Sequence, residues 1–285
     1  MVIRFGRLML YLFLALCAFT TLFPFLNVLA SSLSSSRAIL SGEVTIFPVD
    51  FNWDAYANLL QDGQLLKAMK NTVIITVIGV VLQMTATTLA AYPLSKRRLQ
   101  GRGIMLGLIL FTMLFGGGLI PLFLVLKTLH VLDTYWAIWL PGLISTYNLF
   151  VIKTFFEDLP VELEESASMD GASDLTILLR IVLPVSKAII AALSLFYAVG
   201  LWNTYSAALF FLTSSDKMPL VIKLYQMIQS PAESLLVVDS SDTGVIQPEA
   251  LKAAAIMIAT VPILCVYPFV QRHFIKGMLI GSVKG

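Results

Sequence analysis

Apolar residues run along this chain in long, nearly unbroken stretches, separated by shorter polar segments. A helix needs about 20 apolar residues to cross the hydrocarbon core of a bilayer. Six stretches qualify: residues 8–30, 68–94, 104–126, 136–156, 188–212 and 251–270. The pattern predicts an all-α, polytopic membrane protein with six transmembrane helices, forming a single domain over residues 1–285. The first stretch follows Arg4 and Arg7, as a signal peptide would. It is too long for a signal h-region and lacks a clean small-x-small cleavage site, so it reads as an uncleaved span.

Lysine and arginine set the orientation, because cytoplasmic loops carry their excess. With the N-terminus inside, most of the 19 basic residues fall on the cytoplasmic side, led by Lys96, Arg97, Arg98 and Arg102. Both termini are then cytoplasmic. Residues 31–67 and 213–250 form long outer loops. The first carries Phe51, Trp53 and Tyr56; the second is polar and acidic. Residues 157–187 form a cytoplasmic loop that is not apolar enough to enter the membrane, and no loop is large enough to hold an enzyme fold.

Composition agrees with the pattern. Hydrophobic residues make up 58% of the chain and charged residues 13%, with a mean hydropathy of +0.87. Soluble domains carry about 25% charged residues, so that class is excluded, together with disordered and collagen-like chains. A net charge of +2 provides no basic field for nucleic acid. Cys17 and Cys265 lie in apolar runs and read as small helical residues rather than a disulfide or metal pair.

The spans are nearly free of ionisable residues. Lys153 lies near one span end, where it can snorkel, and neither His130 nor His273 is inside a span. Ion-coupled carriers generally place carboxylates, histidines or arginines within the membrane. No phosphate-binding loop, metalloprotease motif, Cys-x-x-Cys or nucleophile elbow occurs, so no catalytic or metal-ligating residue is assigned. Uphill transport would need energy from a partner.

Three interruptions mark the spans. Gly116-Gly117-Gly118 with Pro121 breaks the third. Backbone groups freed in lipid must find partners or water, so this break either lines a cavity or kinks a helix for close packing. Leu140-Pro141-Gly142 followed by Tyr147 and Asn148 interrupts the fourth. Gly200, Trp202, Asn203 and Tyr205, with Tyr197 one turn earlier, mark the fifth. Asn203 at mid-membrane must hydrogen-bond something. Aromatic faces beside polar groups suit sugar stacking, and interhelical adhesion is the rival explanation. These residues are the candidate substrate pathway.

The cytoplasmic loop reads as a helix-turn-helix on the membrane surface. Pro160 suits a first helical turn, and Glu162, Glu164 and Glu165 complement the positive end of the helix dipole. Gly171 suits a left-handed stop, Ser173 can cap a second helix from Asp174, and Leu183-Pro184 ends it. The small run Ser166-Ala167-Ser168 leaves room for another protein to dock, or the loop is simply a solvated connector.

This loop resembles the signature of permease subunits in binding-protein-dependent ABC importers. That signature is Glu-Ala-Ala, three residues, Gly, nine residues, Ile-x-Leu-Pro. Here Glu165-Ser166-Ala167 is followed by Gly171 and by Ile181-Val182-Leu183-Pro184 at matching spacing, with Ser166 for the first alanine. Most of the chain is similar to maltose-type carbohydrate permeases, through Phe51-Asn52-Trp53, Leu132-Asp133-Thr134, Trp202-Asn203 and the tail Gly281–Gly285. The Phe115–Pro121 stretch and the tail most resemble the subgroup serving oligosaccharides of pectin- or alginate-like uronate polymers. Lys187-Ala188 stands where the family has Lys-Pro, which predicts a less kinked entry to the fifth span.

The resemblance implies a type I ABC importer permease fold in the bacterial plasma membrane. It implies a second homologous permease as heterodimer partner, two ATPase subunits that bind ATP and Mg, and an extracytoplasmic solute-binding protein that delivers the oligosaccharide. The chain itself would need no cofactor and catalyse nothing. Glu164, Glu165, Ser166, Ala167, Asp170, Gly171, Leu183 and Pro184 would couple it to the ATPase, and the segment 274–285 would reach toward the same interface. The alternatives are an importer permease for a non-sugar solute, an ion-coupled carrier and a membrane-embedded enzyme. The last two lack the intramembrane charge or catalytic constellation they need.

Overall fold

The computed structural model describes residues 2–61, 63–229, 237–238 and 245–282, with side chains described at 6–61, 63–229 and 247–265. In chain order the helices are α1 Val2–Ser32, α2 Ser36–Leu40, α3 Asp54–Gln61, α4 Gln64–Ser95, α5 Arg102–Leu114, α6 Leu119–Thr128, α7 Trp136–Trp139, α8 Thr146–Glu157, α9 Glu162–Met169 and α10 Asp174–Ile177. A π-helical turn, Leu178–Val182, leads into α11 Leu183–Val185, then α12 Lys187–Trp202, α13 Ser206–Phe211, α14 Leu220–Gln229 and α15 Pro248–Ser282. Two-residue strands, β1 Val237–Val238 and β2 Val245–Ile246, pair antiparallel.

Three helical segments are each long and apolar enough to cross a membrane: Gly6–Ser32, Gln64–Ser95 and Pro248–Cys265. Two further pairs qualify jointly but are bent, α5 with α6 by 116° and the Asp174–Val185 segment with α12 by 85°. The described residues thus offer three to five crossings by length and composition, against six expected. Three of the expected spans are interrupted. The stretch 104–126 stops at Phe115 and restarts at Leu119, because Gly118 takes a φ of 81°, open to glycine and costly to other residues. The stretch 136–156 is split into α7 and α8 around Pro141-Gly142, and Ser145 caps the restart by accepting from the Asn148 N–H. The stretch 188–212 ends α12 at Trp202 and resumes at Ser206.

The expectation of a less kinked entry to α12 is overturned. The chain turns sharply at the fully buried Ser186, whose N–H bonds back to the carbonyls of Val182 and Leu183, so proline is not needed to make the bend.

The contacts divide the chain into two compact units. The first holds residues 1–69 and 222–263. Within it Ser32 Oγ and Tyr56 OH share a 2.8 Å hydrogen bond, Trp53 stacks on Tyr56 at 4.4 Å, and Gln247 N–H donates to Ser36 Oγ. The apolar side chains along α1 from Leu8 to Phe25 face outward.

The second unit holds residues 70–221 and 264–285. Its main core joins α4, α8, the π-helical turn and α12 through Met84, Tyr92, Leu149, Ile152, Phe156, Leu178, Leu193 and Tyr197. Lipid is as apolar as such a core, so packing and internal hydrogen bonds must hold these helices together. Gly79 provides the close fit: a Cβ there would stand 2.6 Å from Leu201 Cδ1 and 2.9 Å from the Trp139 ring. The Trp139 Nε1–H then reaches the Ile75 carbonyl at 3.0 Å. Tyr197 OH meets Thr87 Oγ1 at 2.6 Å and accepts from the Ser145 N–H at 2.9 Å. Interhelical bonds of this kind contribute about 0.6–2 kcal/mol each in a membrane. A smaller cluster of Leu126, Ala137 and Phe211 joins α6, α7 and α13.

Candidate functional site

The segment 157–187 keeps the expected stop at Gly171 and cap at Ser173, but Leu183-Pro184 does not end the second helix: the helical run continues through Pro184, which needs no N–H partner early in α11, to Val185. α9 begins at Glu162 with Val161 as its N-cap, so Pro160 lies one residue before the cap rather than in the first turn. Glu162, Glu164 and Glu165 fill that turn. Gly171 ends the helix at φ 83°. The Ala172 N–H bonds to the Ala167 carbonyl and the Gly171 N–H to the Ser168 carbonyl, each at 3.0 Å, which is a complete Schellman stop. Ser173 then caps α10, its Oγ accepting from the Thr176 N–H.

No residue of α9 is buried. Glu165, Ser166, Asp170 and Gly171 are exposed, and Met169 is 89% exposed. Ala167 and Leu183 lie half-buried against the core, and Pro184 is exposed. The helix thus presents carboxylates, small side chains and one bare methionine as a surface that another protein can cover. Glu164 differs. Both its carboxylate oxygens accept from Lys96 Nζ, at the end of α4, and the two side chains are only 19% and 18% exposed. The same ammonium stands 4.4 Å from the Tyr92 ring centroid. Around this pair, Arg98 meets Asp174 at 2.8 Å, Arg102 and Lys153 both bond Glu157, and Arg102 Nε donates to the Leu94 carbonyl.

The expected pathway residues are spread over several environments. Gly116, Gly117 and Gly118 are exposed, with open space where a Cβ would stand. Tyr147 is exposed and Asn148 buried at the start of α8. Tyr197 is buried and spends its hydroxyl on Thr87 and Ser145. Asn203 is exposed and returns its Nδ2 to the Val199 carbonyl at 2.9 Å, so the hydrogen bond it needs comes from its own helix. Trp202 and Tyr205 are half-buried. Among the described residues no hydrogen bond joins the three glycines to the Tyr197 group.

Residue-level reading missed two charged centres. Lys96 was one of several cluster cations with no assigned partner. Asp133 entered only through the Leu132-Asp133-Thr134 resemblance, yet it gathers a dense set of bonds. Its Oδ1 accepts from the N–H groups of Thr213 and Ser214, both at 2.9 Å, and its Oδ2 accepts from Ser214 Oγ at 2.5 Å and Lys217 Nζ at 2.9 Å. Its own N–H donates to the Phe211 carbonyl and its backbone sits at φ 57°. Lys217, then Ser214, hold this carboxyl well below the usual carboxylate range. Among the described residues no group of three or more His, Cys, Asp or Glu gathers where it could hold a metal ion.

The family described as binding-protein-dependent transport system inner membrane component matches residues 75–280. Protein LplC of Bacillus subtilis (strain 168) is 45% identical over 274 residues, 96% of this chain and 93% of the relative. The polygalacturonan/rhamnogalacturonan transport system permease protein YtcP of the same organism is 43% identical over 285 residues, 99% of each chain. Among solved structures, a chain of a bacterial ABC transporter involved in the import of the acidic polysaccharide alginate matches with a TM-score of 0.89 and 32% identity, over 95% of this chain and 97% of that one.

Proposed function

Because the chain belongs to the family of binding-protein-dependent transport system inner membrane components, and is a membrane permease of the carbohydrate ABC-importer kind, we propose that its cargo is an oligosaccharide cut from an acidic, uronate-containing polysaccharide. The observation that carries this reading is the likeness, over nearly the whole length, to a polygalacturonan/rhamnogalacturonan permease and to a solved alginate importer chain. An extracytoplasmic binding protein delivers the sugar, a second permease completes the pathway, and two ATPase subunits supply the energy. The energy has to come from partners, since the spans carry no ion relay and the chain no phosphate-binding loop.

In this reading the single permease domain crosses the membrane six times, with both termini cytoplasmic. α1, α4 and α15 cross as long helices, the α5–α6 pair and α12 as bent ones, and the interrupted α7–α8 stretch completes the set. α9 is the coupling helix. Its exposed Glu165, Ser166, Asp170 and Gly171 dock into the ATPase, while Ala167, Leu183 and Pro184 seat the helix. Glu165 is the principal contact, being an exposed carboxylate with no partner among the described residues, on a helix with no fully buried residue. The open backbone at Gly116–Gly118, with Tyr147, Asn148, Tyr197, Trp202, Asn203 and Tyr205, borders the sugar path. Substrate choice rests mainly with the binding protein.

The test uses the whole complex in liposomes. Binding protein loaded with galacturonate or alginate oligosaccharides should stimulate ATP hydrolysis, and neutral maltodextrin should not. Glu165→Ala should cut the stimulated rate about tenfold or more, a loss of about 1.4 kcal/mol. Stimulation by neutral sugars alone would remove the uronate assignment; full stimulation in the variant would remove Glu165 from the coupling surface.

A further inference from the structure

α9 has a mechanical difficulty. A helix with no fully buried residue has few interdigitated side chains with which to pass a push to its neighbours by packing. Ala167 and Ala172, half-buried at its end, give it little purchase. One of its carboxylates, Glu164, is nevertheless turned back into the protein, and both of its oxygens are held by Lys96.

Lys96 is well placed to receive force. It is the first residue beyond α4, and its N–H bonds to the Pro93 carbonyl while Ser95 Oγ closes on the Tyr92 carbonyl. Its ammonium lies over the Tyr92 ring. Tyr92 in turn meets Phe156 edge-on, with centroids 6.3 Å apart. Phe156 sits at the end of α8, just before the chain enters α9. The ammonium, the ring and the two helix ends therefore form a closed circuit, about four-fifths covered from solvent at the ion pair. Several neighbouring charges have partners of their own: Arg98 with Asp174, and Arg102 and Lys153 with Glu157. A bidentate ion pair covered to this extent is directional and poorly screened.

Building on the importer reading, we propose that Lys96 is a positioning residue of the transport cycle: by gripping Glu164 it makes the coupling helix α9 and the end of α4 move as one body. Displacement of α9 by the ATPase is delivered through this link to α4. That helix carries Thr72, Thr76, Gln83 and Thr87, all buried, on one side along its length. Glu164 then acts inward, on its own chain, while Glu165 acts outward.

The decisive experiment is a charge exchange in the full complex reconstituted with binding protein and substrate. Lys96→Glu, Glu164→Lys and the double exchange are compared for ATPase co-purifying with the permease, and for sugar accumulated per ATP hydrolysed. Each single reversal should lower sugar per ATP about tenfold, within the usual range of coupling energies. The double exchange should recover it to within about twofold of wild type. A merely structural pair would change assembly or expression and leave that ratio alone. Single reversals with wild-type ratios, or a double exchange that assembles normally yet stays uncoupled, would overturn the proposal while the importer reading stands. A wild-type complex without binding-protein-dependent uptake would overturn both.

Discussion

The second unit carries two charged clasps, one beside the stretch that Asn71 and Thr72 of α4 bond to and one just past the end of α4 at Ser95, and they are built from opposite materials. Near the first end, Asn71 Nδ2 donates to the Asp216 and Met218 carbonyls and Thr72 Oγ1 accepts from the Leu220 N–H, next to the stretch whose Lys217 grips Asp133. At the other end stands Lys96 with Glu164. From Thr72 to Ser95, α4 runs about 35 Å at 1.5 Å per residue, somewhat more than a hydrocarbon core of about 30 Å. The Asp133 clasp uses backbone donors fixed by short local turns. The Lys96 clasp uses two long side chains and no backbone donor. Fixed donors suit an anchor that holds one arrangement. Two long side chains suit a joint that must follow a moving helix without breaking.

The strongest way to break this contrast is to remove the anchor. Asp133→Ala deprives two N–H groups, a hydroxyl and an ammonium of their acceptor. Hydrogen bonds to a charged group are worth 1.5–3 kcal/mol each when buried; Asp133 is 27% exposed, so water replaces part of the set and the expected net loss is about 2 kcal/mol. Thermal unfolding of the purified complex in detergent should show a clearly lowered Tm. Lys96→Gln, measured alongside, should move Tm far less. Equal losses from the two variants would erase the distinction between anchor and joint.

A gentler probe of the anchor is pH. The folded state depresses the Asp133 pKa below its ordinary value of 3.8. Its contribution is therefore fully present above the ordinary carboxylate range and is lost as pH falls below it toward the depressed folded value. Stability curves of wild type and Asp133→Asn should run parallel from pH 7 to about pH 5 and converge in more acid solution. Curves that stay parallel down to about pH 3 would mean that the carboxylate is not the group being held.

The two clasps also mark what a sequence can disclose. Gly171 and Ser173 were legible because a left-handed stop and an N-cap depend on the residue itself and its nearest neighbours. The long apolar helices α1, α4 and α15 were legible for the same reason. The inward turn of Glu164 was not. Glu162, Glu164 and Glu165 look alike on paper, and the cation that selects one of them lies 68 positions away. Asp133 finds its partners about eighty positions downstream. The interruption at Pro141-Gly142 was visible, yet the restart of the helix at Thr146 depends on Ser145, which also binds Tyr197 on α12. Hydropathy reports a run of apolar residues; it does not report where tertiary hydrogen bonds divide that run.

The smallest expected effect separates a joint from an ornament. Arg98 and Asp174 meet at 2.8 Å, an ordinary charge-assisted distance, and lie next to the Lys96 clasp. Their side chains are 72% and 67% exposed, however, against 18% and 19% for Lys96 and Glu164. Exposed pairs gain little Coulomb energy in water, are screened by salt, and lose side-chain entropy when they form. Arg98→Ala should therefore cost no more than about 0.5 kcal/mol, and should leave sugar transported per ATP at the wild-type ratio even in low salt. The comparison is demanding because both pairs tie the end of α4 to the same helix-turn-helix, one through α9 and the other through α10. If proximity to the coupling helix were enough, losing either pair would uncouple the complex. If coverage from solvent decides which pair can transmit force, only the Lys96 exchange will do so.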